Sequence, residues 1–286
     1  MKKNKKNSFL RRAMRNPSFV IGLILFMSVV FCAIFADVLA PQGYDAVVIM
    51  DKLKKPTFQQ ADSPYPLGAD HLGRDLLSRI IHGSRIALRV GLIAVIIETC
   101  IGVVLGLISG YYGGKVGSVI MFLTDLTWAI PPVVLALAIV TAIGSSLMNV
   151  VISIAVVSWA QFTRIVRSKT QSLKNMPFVE AARAIGESDF SIIVRYILPN
   201  VLSSVLVIAT LALPSAILST SALSFLGLGA QQPMPDWGCI LSDGINYMRQ
   251  APMLTIAPGV ALVITVLGFN LLGEGLREVI DPKLKV

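Results

Sequence analysis

Pro177-Phe178-Val179-Glu180-Ala181-Ala182-Arg183-Ala184-Ile185-Gly186-Glu187-Ser188 is a short polar island in an otherwise apolar chain. One apolar run ends near Trp159 and the next begins near Val201, which places the island on one face of a membrane. Pro177 suits the first turn of a helix, where its missing N–H costs nothing, and Gly186 suits the left-handed position that ends one. Between them, Ala181, Ala182 and Ile185 offer a small, smooth face that another protein can approach. Ser188 then caps a second helix, expected to run to a break at Pro199.

Composition agrees with a chain that lives in lipid. Apolar residues make up 55% of the 286 and charged residues only 14%, with a mean hydropathy of +0.74. A soluble domain is usually about a quarter charged. A crossing helix needs about 20 apolar residues, and on that measure six spans are predicted: 19–40, 86–109, 118–143, 147–162 extended toward 166, 201–223 and 254–272. The third is interrupted by Pro131-Pro132. The first is read as a retained span, because it exceeds the apolar core of a signal peptide and no small-x-small cleavage site follows.

Charge sets the orientation. Lys2, Lys3, Lys5, Lys6, Arg11, Arg12 and Arg15 precede the first span, and Arg164, Arg167, Lys169, Lys174, Arg183 and Arg195 surround the polar island. With Arg277, Lys283 and Lys285 in the tail, all share one side, which the positive-inside rule makes cytoplasmic. The net charge of +9 is thus a topology signal, and no nucleic acid is expected as partner. The chain divides into a basic cytoplasmic amino terminus (1–17), a first transmembrane helix (18–40) and an extracytoplasmic loop (41–85). A transmembrane domain (86–276) follows, containing the cytoplasmic loop at about 164–199, and then a cytoplasmic tail (277–286).

Several stretches carry a family resemblance. Glu180-Ala181-Ala182, Gly186 and Ile197-Leu198-Pro199 resemble the EAA loop of permease subunits in bacterial binding-protein-dependent ABC importers. The segment from Leu67-Gly68-Ala69-Asp70-His71 through Arg74-Asp75 to Ser78-Arg79 is similar to that before the second span of the C-type permease in dipeptide, oligopeptide and nickel systems. Ser224-Phe225-Leu226-Gly227-Leu228-Gly229, with Pro233, Pro235, Asp236, Trp237 and Gly238, resembles the loop after its fifth span. Gly273-Glu274-Gly275-Leu276-Arg277 with Asp281-Pro282 is similar to its ending. At Ala230-Gln231-Gln232-Pro233 the chain departs from the two adjacent prolines frequent in the family.

The resemblance implies an all-α polytopic membrane protein of about six transmembrane helices, with the type I ABC importer permease fold. It implies pairing with a homologous B-type permease, two ATP-binding cassette subunits and an extracytoplasmic substrate-binding protein. Glu180, Ala181, Ala182, Gly186, Ile197, Leu198 and Pro199 would then couple the chain to the ATPases. ATP and Mg would be held by those partners, leaving this chain without a cofactor or a catalytic residue. The implied location is the bacterial cytoplasmic membrane, with both termini cytoplasmic. Peptides are the expected cargo, with nickel or metal chelates as the alternative.

The residues themselves weigh against other classes. Gly113-Gly114-Lys115 lacks the spacing and hydroxyl residue of a P-loop. A membrane-embedded enzyme needs a nucleophile–base pair or a metal cluster at membrane depth, and neither is visible; a passive pore would not need a docking loop. Cys32, Cys100 and Cys239 are scattered, and His71 and His82 with Asp70 and Asp75 are a thin ligand set, so no metal is expected. Asp70 to Arg79 reads as an external helix held by local ion pairs, with Arg79 and Arg85 near lipid headgroups. Glu98 and Asp125 lie in predicted spans, where an ionisable group marks either a pathway or a structural pair. Pro131-Pro132 marks a broken helix lining the path, a kink, or an interfacial start. The apolar walls predict a passage without a deep binding site.

Overall fold

The computed structural model describes residues 12–280, and among these there are helices and turns but no strand. The basic residues before Arg12, and Asp281-Pro282, Lys283 and Lys285, lie outside the described residues. Five helices are long and apolar enough to cross a membrane: α1 (Pro17–Ile34), α2 (Leu76–Tyr112), α5 (Leu147–Lys174), α7 (Asp189–Phe225) and α9 (Met253–Ile280), separated by shorter ones described below. Side-chain caps define their starts. Asn16 accepts from Phe19 N, Asp75 from Ser78 N and Ser146 from Asn149 N, each serving an orphan donor of a first turn.

The expected third span is not one helix. Residues 114–143 form α3 (Gly114–Trp128) and α4 (Pro132–Ile143), bent by 91° at their junction, and they make a sixth crossing only as a bent pair. Pro132 disfavours helical backbone at the residue before it, and Pro131 is extended at φ −53°, ψ 129°.

Other expectations are corrected by the same segmental detail. α2 begins at Leu76, ten residues before the expected start of its span, so part of the expected external loop is helix. Its first turns look polar in sequence, but their charges are spent on other parts of the chain. Arg79 is 1% exposed and donates to the carbonyls of Tyr44 and Pro233, while Arg85 bonds the carbonyls of Ala33 and Ile34 and the carboxylate of Asp37. Arg79 is therefore enclosed by the chain and does not face a lipid surface as expected. Arg85 clamps the carboxyl end of α1, where helix carbonyls favour a cation. Asp70–Asp75 is a turn, with the helix starting only after it. Pro199, expected to end a helix, lies inside α7. A π turn at Ile192–Ile197 widens the backbone just before it, relieving the crowding of a proline ring on the carbonyl four residues earlier.

Close helix approach holds the spans together. Gly102, Gly106 and Gly110 of α2 recur every fourth residue and face Phe162, Val166 and Thr170 of α5. Gly22 of α1 and Gly275 of α9 likewise abut the opposing backbone at Leu272 and Phe19, and Phe26 packs on Phe269 at 5.0 Å between ring centres. In lipid the apolar effect does not drive helices together, so such close van der Waals contact carries the association.

Candidate functional site

At one end of the bundle the chain leaves α5, forms α6 (Pro177–Ala184) and turns back into α7. Pro177 is at the start of α6, as its fixed φ favours. The helix closes in a Schellman motif: Glu187 N–H donates to Ala182 O and Gly186 N–H to Arg183 O. Gly186 takes φ +85°, with open space where a Cβ would stand, so its requirement is conformational. Ser188 then caps α7 by accepting from Ser191 N.

The inner side of α6 is seated on the bundle. Val179 and Ala182 pack with Leu107, Val166, Ile192 and Ile197 in one buried cluster. Tyr111, at the end of α2, donates its hydroxyl to Asp189, and Lys174 Nζ donates to the Tyr111 carbonyl. These bonds tie α2, α5 and α7 at the foot of the helix pair. The outer side is unusually apolar for a loop: Ile185 is 76% exposed and Phe190 75%, with Phe178 and Ala181 beside them. Glu180 is also exposed.

The expected docking residues therefore separate into two groups. Glu180, Ala181 and Gly186 are on the surface. Ala182 and Ile197 are buried in the chain's own core, which corrects the reading of Ala182 as part of an approachable face. Leu198 is half-buried and Pro199 exposed. Phe178 and Phe190 complete the exposed face; sequence reading missed them, although aromatics outside every predicted span were the available signal.

The candidates at membrane depth also diverge. Asp125 accepts from Arg164 Nη2 at 2.6 Å, and the Arg164 guanidinium lies 4.4 Å from the Trp128 ring centre, so Asp125 is a structural link from α3 to α5. Pro131 and Pro132 are exposed, and Pro132 borders a crevice between α4, α5 and α7 that also includes Ser158 and Ser219. Beside that crevice, Glu98 opens onto a recess of about 170 Å³ shared with Ser158, Gln161, Ser215 and Ser219. The walls there are more polar than expected.

At the opposite end, two motifs more than 150 residues apart meet. Asp70 accepts from Arg74 Nε at 2.6 Å and lies 3.6 Å from Arg79 Nε. Arg74 also donates to Gln232 Oε1, whose amide donates to Asp243 at 2.6 Å. α8 (Trp237–Ile245) is capped by Asp236, and Trp237 Nε1 donates to Ile80 O at 2.9 Å. Burial pushes the carboxyls of Asp75 and Asp236 up, against the caps' own hydrogen bonds. His71 stacks on Tyr247, and His82 faces Ser78 O and Asp37, so the two histidines serve separate packing roles.

Comparison with known proteins adds to this geometry. Residues 102–286 match the family described as binding-protein-dependent transport system inner membrane component. Residues 7–56 match the N-terminal TM domain of oligopeptide transport permease C. The chain is 42% identical over 271 residues to the dipeptide transport system permease protein of Alkalihalophilus pseudofirmus, covering 95% of this chain and 88% of that one. It is 40% identical over 277 residues to the glutathione transport system permease protein of Pectobacterium atrosepticum, covering 97% and 91%. A chain of the inward-facing methionine ABC transporter MetNI superposes with a TM-score of 0.57 at 19% identity, over 70% of this chain and 96% of that one. That likeness supports the fold.

Proposed function

The chain belongs to the binding-protein-dependent transport system inner membrane component family, as a non-catalytic, multi-pass permease subunit of an ABC importer of the peptide and glutathione group, and from this premise we propose how it works. It pairs with a homologous B-type permease to form a path for peptides, the class that includes the dipeptides and glutathione of its relatives' names. An extracytoplasmic binding protein delivers the cargo, and two ATPase subunits, which hold the ATP and Mg, drive the cycle. Residence in the bacterial cytoplasmic membrane with both termini cytoplasmic accords with the basic residues gathered around α6.

The observation that carries the reading is the apolar outer face of α6 and the start of α7. Phe178, Ala181, Ile185 and Phe190 are all exposed within thirteen residues of chain, and apolar surface of this kind marks a protein contact. Closure of the ATPases pushes this patch, and the seated inner face passes the push to α2, α5 and α7 as one body. Gly186→Val strains a left-handed position by more than the roughly 1 kcal/mol an alanine costs there, so it re-aims α6 without unfolding the chain. In the reconstituted complex, Gly186→Val and Glu180→Lys are both expected to retain pairing with the second permease while uptake falls at least tenfold, a difference equivalent to about 1.4 kcal/mol. Full uptake with normal ATPase stimulation in both variants would show that this loop is not the transmission.

Orientation is checked separately. Reporter fusions after Lys55 and after Gln232 are expected to read external, and one after Lys174 cytoplasmic. A cytoplasmic signal at Lys55 overturns the arrangement.

A further inference from the structure

Glu98 lies fourteen residues before Tyr112, the end of α2 nearest α6. At 1.5 Å per residue that is about 21 Å of helix, deep within a hydrocarbon core of about 30 Å. Its side chain is only 2% exposed. Ser158 borders the same recess as its carboxyl, and no lysine or arginine among the described residues forms an ion pair with it. Asp125 shows the contrast, since it has Arg164. A carboxylate at this depth is costly unless a positive charge answers it.

Its surroundings are unlike a lipid-facing surface. Ser158 and Gln161 stand one turn apart on α5, and Ser215 and Ser219 one turn apart on α7. All four border the same recess as Glu98. Three helices thus direct hydroxyl, amide and carboxyl groups into one partly open space at membrane depth, where lipid would leave them unsatisfied.

We propose that Glu98 is a transient station for the cationic group of the passing solute, the free α-ammonium of a peptide, with the serines and Gln161 bonding its polar groups. This deepens, and rests on, the peptide-importer reading above. The carboxylate lowers the cost of bringing an ammonium past apolar walls, and a single charged contact in a partly wet recess is weak enough to release it.

The test uses the complete importer with its binding protein in proteoliposomes, comparing dialanine and dilysine uptake per ATP hydrolysed. Glu98→Gln keeps the size and a polar group facing the recess while removing the charge. It is expected to lower uptake per ATP about tenfold for dialanine and further for dilysine, with binding-protein-stimulated hydrolysis retained. Glu98→Asp, which restores the charge with a shorter reach, is expected to recover at least part of that loss. Unchanged uptake per ATP in Glu98→Gln overturns the proposal. So does a loss shared equally by Glu98→Gln and Glu98→Asp, or one that falls equally on uptake and hydrolysis, because each indicates a packing role. A wild-type complex that stimulates hydrolysis but imports neither peptide overturns the peptide reading, and this inference with it.

Discussion

Gly106→Leu is expected to deplete the chain from the membrane fraction and to abolish uptake by what remains. A Cβ on Gly106 would already stand 2.6 Å from Val166 Cβ and 2.9 Å from the Thr163 carbonyl oxygen. A leucine there must push α2 and α5 apart, and the displacement also breaks the flanking contacts of Gly102 with Phe162 and of Gly110 with Thr170. Overpacking alone costs about 1–3 kcal/mol, and loss of the neighbouring contacts adds to it, against a total stability of about 5–15 kcal/mol. Gly106→Ala should fall between wild type and leucine. Gly259→Leu is the control, because nothing stands within 4 Å of a Cβ at that helical position. Membrane abundance and detergent melting temperature are the measurements; a Gly106→Leu chain as abundant and as stable as Gly259→Leu refutes the close-packed seam.

Asp70→Ala is expected to produce the second large loss. Its Oδ2 faces Arg74 at 2.6 Å and Arg79 at 3.6 Å, and its Oδ1 accepts from the backbone N–H groups of Leu72 and Arg74. Both arginines are 1% exposed, so truncation strands two guanidinium groups away from water. Removing one partner of a buried pair costs about 3–5 kcal/mol. Asp70→Asn keeps an acceptor for the turn and loses the charge, so its melting temperature should lie between those of wild type and alanine. An alanine variant that melts with wild type would mean that Gln232 and the carbonyls of Tyr44 and Pro233 suffice for the two arginines.

What was legible in the sequence was local. Pro177, Gly186 and Ser188 each act on their own backbone, so the helix, left-handed turn and cap could be placed before any contact was known. The direction in which Ala182 points could not. An eight-residue helix has two candidate faces, and Val179 and Ala182 turn inward only because Leu107, Val166 and Ile197 are there to receive them. Pro199 misled because the cost of a proline assumes α geometry, and the π turn before it removes that assumption. Charge misled at Arg79, where hydropathy registers a polar residue and is blind to a partner distant in sequence. The spacing of Gly102, Gly106 and Gly110 went unread, although small residues at every fourth position of a span are a close-packing signal. The recess at Glu98 was not legible, because its polar groups come from three separate helices.

The π turn at Ile192–Ile197 has a further consequence, for chimeras. It accommodates one residue more than an α turn would, and each helical residue rotates the chain by about 100°. Deleting a single residue there would return the turn to α geometry with little change in the bearing of α6, whereas deleting one from the α-helical stretch that follows would swing Ile185 and Phe190 about a quarter turn away from the bundle. A segment exchanged with a relative can therefore differ by one residue within Ile192–Ile197 more safely than in the α-helical stretch after it. Splice points upstream of Ser188 leave the turn whole, and those within it keep the bearing when the π turn and its added residue are gained or lost together.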